Sequence, residues 1–213
     1  MKKNKLKKGF FIVFEGGEKA GKSTVIKFLQ NELTKCGLDV LITHEPGGTP
    51  LGKIIRKKLL KEEDGVSMNP IAKSFLFFAD RAQHVSDIIL PALVSGRIVL
   101  EDRFSFSTFA YQHYAMGVDL NFLLQADAFA RQNLESNLII LLDIDPRIAL
   151  KRGIDPRNPF ETAKIEFHDR LRHGYLEMAH NDPEKWKIVD ASKSADEVAK
   201  KVLEIVLIVV GKK

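Results

Sequence analysis

The chain has a single cysteine, a single tryptophan and no long apolar run. Cys36, standing alone, makes no intramolecular disulfide and no thiolate metal centre, which suits a reducing interior. No apolar stretch of signal-peptide length precedes the first glycine cluster, and the C-terminal run Ile205–Val210 is far too short to cross a bilayer. A cytoplasmic protein with no membrane partner is the expectation. Charges are common but balanced, with an excess of one sign in one place only. The net charge is +5, and Lys2, Lys3, Lys5, Lys7 and Lys8 account for all of it. The folded body is therefore near neutral, residues 1–8 read as a flexible basic tail, and no nucleic-acid partner is expected. Internal repeats and low-complexity linkers are missing as well. With 213 residues, residues 9–213 form one domain.

What is present centres on Gly16-Gly17-Glu18-Lys19-Ala20-Gly21-Lys22-Ser23, followed by Thr24. This is the spacing of a phosphate-cradling loop. Backbone N–H groups must point inward around a polyphosphate, and glycine permits the backbone angles and close approach this needs. Lys22 brings a positive charge to the terminal phosphates, the Ser23 hydroxyl is a Mg²⁺ ligand, and the dipole of the following helix adds to both. The context fits: an apolar strand, Phe10–Phe14, precedes the loop, and a helical pattern with Val25, Ile26, Phe28, Leu29 and Leu33 follows it.

Five short apolar segments, Phe10–Glu15, Asp39–His44, Arg97–Asp102, Asn137–Asp143 and Trp186–Asp190, alternate with helical stretches. They show little alternation of polarity, the mark of a parallel sheet covered on both faces, so the fold class is α/β. Helices are expected over Thr24–Leu33, Leu51–Lys61, Pro70–Leu90, Ser105–Tyr114, Asn121–Leu134, Pro146–Arg152, Glu161–Ala179 and Ala195–Val209. Ligands gather at the carboxyl ends of such strands. There the chain places the phosphate loop, then Glu45-Pro46-Gly47-Gly48-Thr49, then Asp102-Arg103. Asp102 is placed to hold Mg²⁺, and Arg103 to fork two N–H groups onto a phosphate. Residues 151–160, rich in turn formers and bearing Lys151, Arg152 and Arg157, read as a lid that closes over the phosphates.

The acceptor side is less direct. Phe77 and Arg81 lie four apart and share a helix face, an aromatic plane beside a guanidinium that suits a nucleobase. Several neighbouring phenylalanines must instead be core. Ser107, Thr108, Tyr111 and Gln112 add polar groups after Asp102-Arg103.

These motifs resemble those of the thymidylate kinases, within the P-loop nucleoside monophosphate kinases. GGEKAGKST at 16–24, EPGGTPLG at 45–52, FFADRAQHV at 77–85, EDRFSFSTFAYQ at 101–112 and FETAKIEFHDRLRHGYLEMA at 160–179 carry the likeness. The resemblance implies a P-loop NTPase fold with a five-stranded parallel sheet, transfer of phosphate from ATP to dTMP with Mg²⁺, and a homodimer. It implies that Phe77 stacks on thymine, Arg81 bonds the base edge, and Thr108 or its neighbours, with Gln112, read the rest. Tyr111 would crowd the sugar 2′ position, Glu18 would approach the sugar, and Arg56 and Arg103 would clamp the monophosphate. Pro46 belongs to the same acceptor set, and Glu161 falls where the family has an acidic residue near the acceptor site and metal. Lys19 stands where lid-independent members have arginine, and Arg157 keeps a lid cation, so Arg157 with help from Lys19 would stabilise the moving phosphoryl group. His44 stands where an arginine commonly precedes EPGGT. The adenine contacts would fall around Asp190–Ser194.

Two rival classes follow from the same residues. Another pyrimidine nucleotide or deoxynucleoside kinase would share the phosphate loop and differ in the acceptor pocket. A P-loop switch or nucleic-acid motor would need a guanine-reading Asn-Lys-x-Asp or an Asp-Glu pair at the third strand, and the chain has neither there.

Overall fold

The structure is a computed structural model that describes residues 8–60, 68–156 and 158–211. The basic stretch 1–7 and Arg157 lie outside the described residues. The chain alternates strands and helices: β1 (Phe10–Glu15), α1 (Lys22–Lys35), β2 (Val40–His44), α2 (Pro50–Leu60), α3 (Pro70–His84) and α4 (Leu90–Val94). Then come β3 (Ile98–Asp102), α5 (Ser105–Thr108), α6 (Leu120–Ala130), β4 (Leu138–Asp143) and α7 (Pro146–Ala149). Finally α8 (Ile165–Asn181), β5 (Trp186–Asp190) and α9 (Ala195–Val209) close the chain.

The five strands form one parallel sheet in the order β2-β3-β1-β4-β5. β1 lies at its centre, with β3 on one side and β4 on the other. Its carboxyl end is thus the point where ligands enter such sheets. Both faces are covered, which explains the unbroken apolar strands. Ile12, Phe14, Ile140 and Leu142 pack with Leu29 of α1 and Val202 of α9, while Phe11, Val13, Ile139 and Leu141 pack with Leu171 and Tyr175 of α8. Among the described residues no helix is long and apolar enough to cross a membrane.

Sequence periodicity located each element, but three differ in form. The long helix from Pro70 widens into a π-helical turn over Val85–Ile89 before α4. Pro91 lacks an N–H and its ring crowds the preceding turn, which favours the wider hydrogen bond from Leu90 to the Val85 carbonyl. A second π-helical segment, Phe109–Ala115, continues α5 and carries Tyr111 and Gln112 inward. The helix expected from Glu161 begins instead at Ile165. The Glu161 side chain accepts from the Asp155 N–H at 2.7 Å, and the Asn158 carbonyl takes the Glu161 and Thr162 N–H groups. Residues 161–164 are therefore spent on a turn.

Candidate functional site

The loop between β1 and α1 has the strained backbone that its sequence calls for. Gly16 has φ +140°, and a Cβ there would lie 2.6 Å from the Leu142 carbonyl oxygen. Lys19 (φ 56°) and Arg103 (φ 71°) adopt left-handed conformations that are uncommon for residues with side chains. Such strain collects where a backbone must be held in one place. Lys22 is buried, and its ammonium folds over the loop, donating to the Gly16 and Gly17 carbonyls at 3.0 and 3.1 Å. Burial, followed by the Arg103 charge, lowers its pKa to about 8.

Beside the loop opens a cavity of about 480 Å³, large enough for a nucleotide. One side is lined by Glu18, Ser23, Asp102 and Arg103, the other by Phe77, Arg81, Thr108 and Gln112. Pro46, Arg56, Ser107 and Tyr111 complete the expected set on its walls. Ser23 Oγ and Asp102 Oδ2 lie 3.1 Å apart. Two hard oxygens at that spacing fit adjacent positions around one Mg²⁺.

Arg103 is the hub of the loop side. Its guanidinium donates to the Gly16 carbonyl, Ser107 Oγ, Tyr175 Oη and Glu18 Oε1 at 3.0 to 3.3 Å, and it stacks on the Tyr111 ring. Glu18 Oε1 also accepts from the Tyr111 hydroxyl at 2.6 Å. Burial alone would raise the Glu18 pKa, but Arg103, Lys22 and this hydrogen bond outweigh it and bring it to about 2. Glu18 is therefore a fixed carboxylate at neutral pH.

The opposite wall rests on a buried ionic layer that sequence reading did not single out. Arg81 is 1% exposed. It donates to Glu45 Oε2 at 2.9 Å, Asp127 Oδ1 at 2.6 Å and Thr108 Oγ1 at 3.0 Å. Three of its five N–H groups are thereby used, and Arg81 reaches the cavity as a rigid edge. Gln112 Nε2 is buried in the same wall and has no hydrogen-bond partner among the described residues. An unmade bond of that kind is costly unless a ligand completes it.

Glu15, at the end of β1, shows in the sequence only as a strand residue. It accepts from the Phe104 and Ser107 N–H groups, from Ser107 Oγ and from the Tyr175 hydroxyl. Burial pushes its pKa up nonetheless. Asp127, Asp80 and Glu15 shared one available signal: each is a carboxylate inside an otherwise apolar pattern, and burying one requires partners. Asp80 accepts from the Gly47 N–H at 3.2 Å, and Gly52 leaves room for that carboxylate where any Cβ would collide with it.

Lys19 and Glu161 stand off the cavity wall. Lys19 Nζ pairs with Glu161 Oε2 at 2.9 Å, so both serve the join between the phosphate loop and the segment before α8. Asn158 and Phe160 of that segment do line the cavity, and Phe160 packs edge-on against Tyr111. Arg152 ties the same region down, donating to the Lys19 and Ala191 carbonyls at 3.1 and 2.8 Å. Arg157 falls outside the described residues. His44 lines the cavity and bonds the Pro46 carbonyl, which also accepts from Arg56 at 2.8 Å.

A phosphate loop at the central strand, facing across one cavity a wall built for a flat ring, defines a P-loop nucleotide kinase. Comparison with known proteins narrows this. The thymidylate kinase family model matches residues 14–202, and the chain belongs to the thymidylate kinase family. It is 41% identical over 197 residues to a thymidylate kinase of Desulfovibrio desulfuricans, covering 88% of this chain and 90% of that one. To a thymidylate kinase of Syntrophotalea carbinolica it is 42% identical over 201 residues, covering 91% and 93%. A crystal structure of thymidylate kinase from Ehrlichia chaffeensis superimposes with a TM-score of 0.78 at 27% identity, covering 93% of this chain and 99% of that one.

Proposed function

We propose that this chain transfers the γ-phosphoryl group of ATP to dTMP, giving ADP and dTDP. One observation carries the reading: Phe77, Arg81 and Gln112 share a cavity with Ser23, Asp102 and Arg103. A pyrimidine on the first set leaves its 5′-phosphate facing the second. Phosphoryl transfer needs alignment and charge stabilisation more than covalent help from the protein.

The loop amides of residues 16–24 and Lys22 take the donor phosphates. Ser23 and Asp102 would hold Mg²⁺, which neutralises charge on the phosphates when bound. Arg103 and Arg56 clamp the acceptor monophosphate. Arg103 is already aimed by Glu18 and the Gly16 carbonyl, so little freedom is lost when phosphate arrives. Phe77 stacks on thymine, the unpartnered Gln112 amide and the Arg81 edge bond its polar rim, and Thr108 completes that set. Tyr111, fixed by Glu18, crowds the 2′ position and favours deoxyribose. Residues 151–160 act as a lid that excludes water, and Arg157 with Lys19 steadies the transferring group.

A homodimer belongs to the same reading. Ile71, Phe75 and Leu124 expose 50%, 57% and 46% of their surfaces on α3 and α6 and supply apolar area for a second copy. The single cysteine is consistent with a cytoplasmic setting.

The test is a coupled assay with ATP against dTMP, dUMP, dCMP, dGMP and thymidine. dTMP is expected to give the highest kcat/KM. Preference for another acceptor would overturn the assignment, and hydrolysis without any acceptor would move the chain to a switch or motor class.

A further inference from the structure

A second, small space of about 20 Å³ adjoins the phosphate loop, lined by Gly17, Glu18, Leu141, His168 and Tyr175 among others. It is the size of about one water molecule. Two acceptors border it. Glu18 Oε1 is occupied by Tyr111 and Arg103, while Oε2 takes no hydrogen bond from any described residue. His168, on α8, is 3% exposed, and its Nε2 has no partner among the described residues.

The ring of His168 bonds the Ala163 backbone. With Nε2 unpartnered, that bond belongs to Nδ1–H, so the neutral ring presents an Nε2 lone pair. Burial holds the ring neutral. A carboxylate oxygen and an imidazole lone pair cannot bond each other. Only a group with two donors joins them, and a space of about 20 Å³ suits one water.

We propose that one buried water donates to both His168 Nε2 and Glu18 Oε2, making His168 a positioning residue for the acceptor site. His168 touches neither nucleotide. It acts through Glu18, whose other oxygen aims Arg103 and Tyr111. The bridge also ties α8, which follows the proposed lid, to the phosphate loop. Its kinetic consequence rests on the proposed function, whereas the water itself does not.

The experiment pairs a high-resolution crystal structure of the wild-type protein with kinetics of His168→Leu and His168→Gln. Glutamine offers an acceptor at similar reach, and leucine fills the space without one. The expected result is one ordered water between Glu18 and His168. His168→Leu should raise KM for dTMP about tenfold, the loss of one charge-assisted hydrogen bond. KM for ATP should stay within about twofold, and His168→Gln should recover most of the loss. Where leucine does not fold, His168→Met replaces it. A dry cavity overturns the proposal, as does an unchanged KM for dTMP in the apolar variant. So does a loss in both variants that tracks Tm and affects both substrates alike. Preference for a different monophosphate, with the water present, would overturn the acceptor assignment alone.

Discussion

Ser23 Oγ donates to Asp102 Oδ2 at 3.1 Å, joining the first turn of α1 to the end of β3. The two residues are far apart in sequence and meet because β1 and β3 are parallel neighbours with Phe14 opposite Asp102. That register sets a hydroxyl and a carboxylate side by side at the mouth of the phosphate loop. Both are hard ligands, and Asp102 supplies the negative charge.

Asp102→Asn should therefore lower kcat by about 100-fold, in line with removing one preorganised electrostatic group. The Mg²⁺ concentration for half-maximal rate should rise, while KM for dTMP should move little. Mg²⁺ titrations of the variant and wild type at fixed substrates check this. An unchanged Mg²⁺ dependence would remove Asp102 from the metal site.

Lys22 carries a second prediction. Its pKa is lowered to about 8 in the empty loop, first by burial and next by Arg103. Bound phosphates reverse the balance and favour the ammonium, so the bound pKa is higher than the free one. ATP binding should take up a proton at about pH 8.5, and affinity should fall as pH rises through about 8. Calorimetry in two buffers of different ionisation enthalpy reads the uptake directly. Lys22→Met should abolish it, and the absence of uptake in wild type would contradict the lowered pKa.

The parts of this molecule governed by local rules were legible in sequence. Each strand was located to within a residue or so because a parallel sheet buried on both faces leaves an unbroken apolar run. Gly16–Ser23 was legible because few loops need that glycine spacing. The buried ionic layer was not. Glu45, Arg81 and Asp127 come from three separate segments, and only the fold shows that one guanidinium serves both carboxylates. Glu161 failed for a related reason. Its helical pattern was real, but the side chain closes a turn with Asp155 and Asn158, a contact that periodicity does not encode.

That layer has its own pH signature. Asp80 is buried, and its pKa is raised to about 6, first by burial and next by the nearby Glu45 charge. A carboxyl whose folded pKa lies above its unfolded one contributes stability at low pH. That contribution declines as pH rises from about 4 to about 6. Asp80→Asn keeps the acceptor oxygen for Gly47 N–H but cannot ionise. Across that window, denaturant unfolding of the variant should show a shallower loss of stability with rising pH than wild type. Glu101, raised well above its ordinary value first by burial and then by the Glu45, Asp102 and Asp80 charges, slopes the same way. Removing the Asp80 charge relaxes that rise, so the difference reads Asp80 together with its coupling to Glu101, and both flatten the variant's profile. Parallel profiles would show that Asp80 is ionised throughout.

The last prediction concerns which cation meets the transferring phosphoryl group. Lys19 sits in the phosphate loop, yet its ammonium is 2.9 Å from Glu161, which also holds Asp155 N–H and the Asn158 amide. A lysine so engaged is a point charge tying the loop to the segment before α8, and it lacks the fork that grips two phosphate oxygens. The stabilising cation should then be Arg157. Arg157→Ala should lower kcat by about a thousandfold, as loss of an arginine finger does. Lys19→Ala and Glu161→Gln should each cost about tenfold, and the double variant should lose no more than either, because the two act as one pair. Single-turnover rates at saturating ATP and dTMP separate these cases. If Lys19→Ala abolishes transfer while Arg157→Ala stays within about twofold, Lys19 leaves Glu161 in the transition state and the roles are reversed.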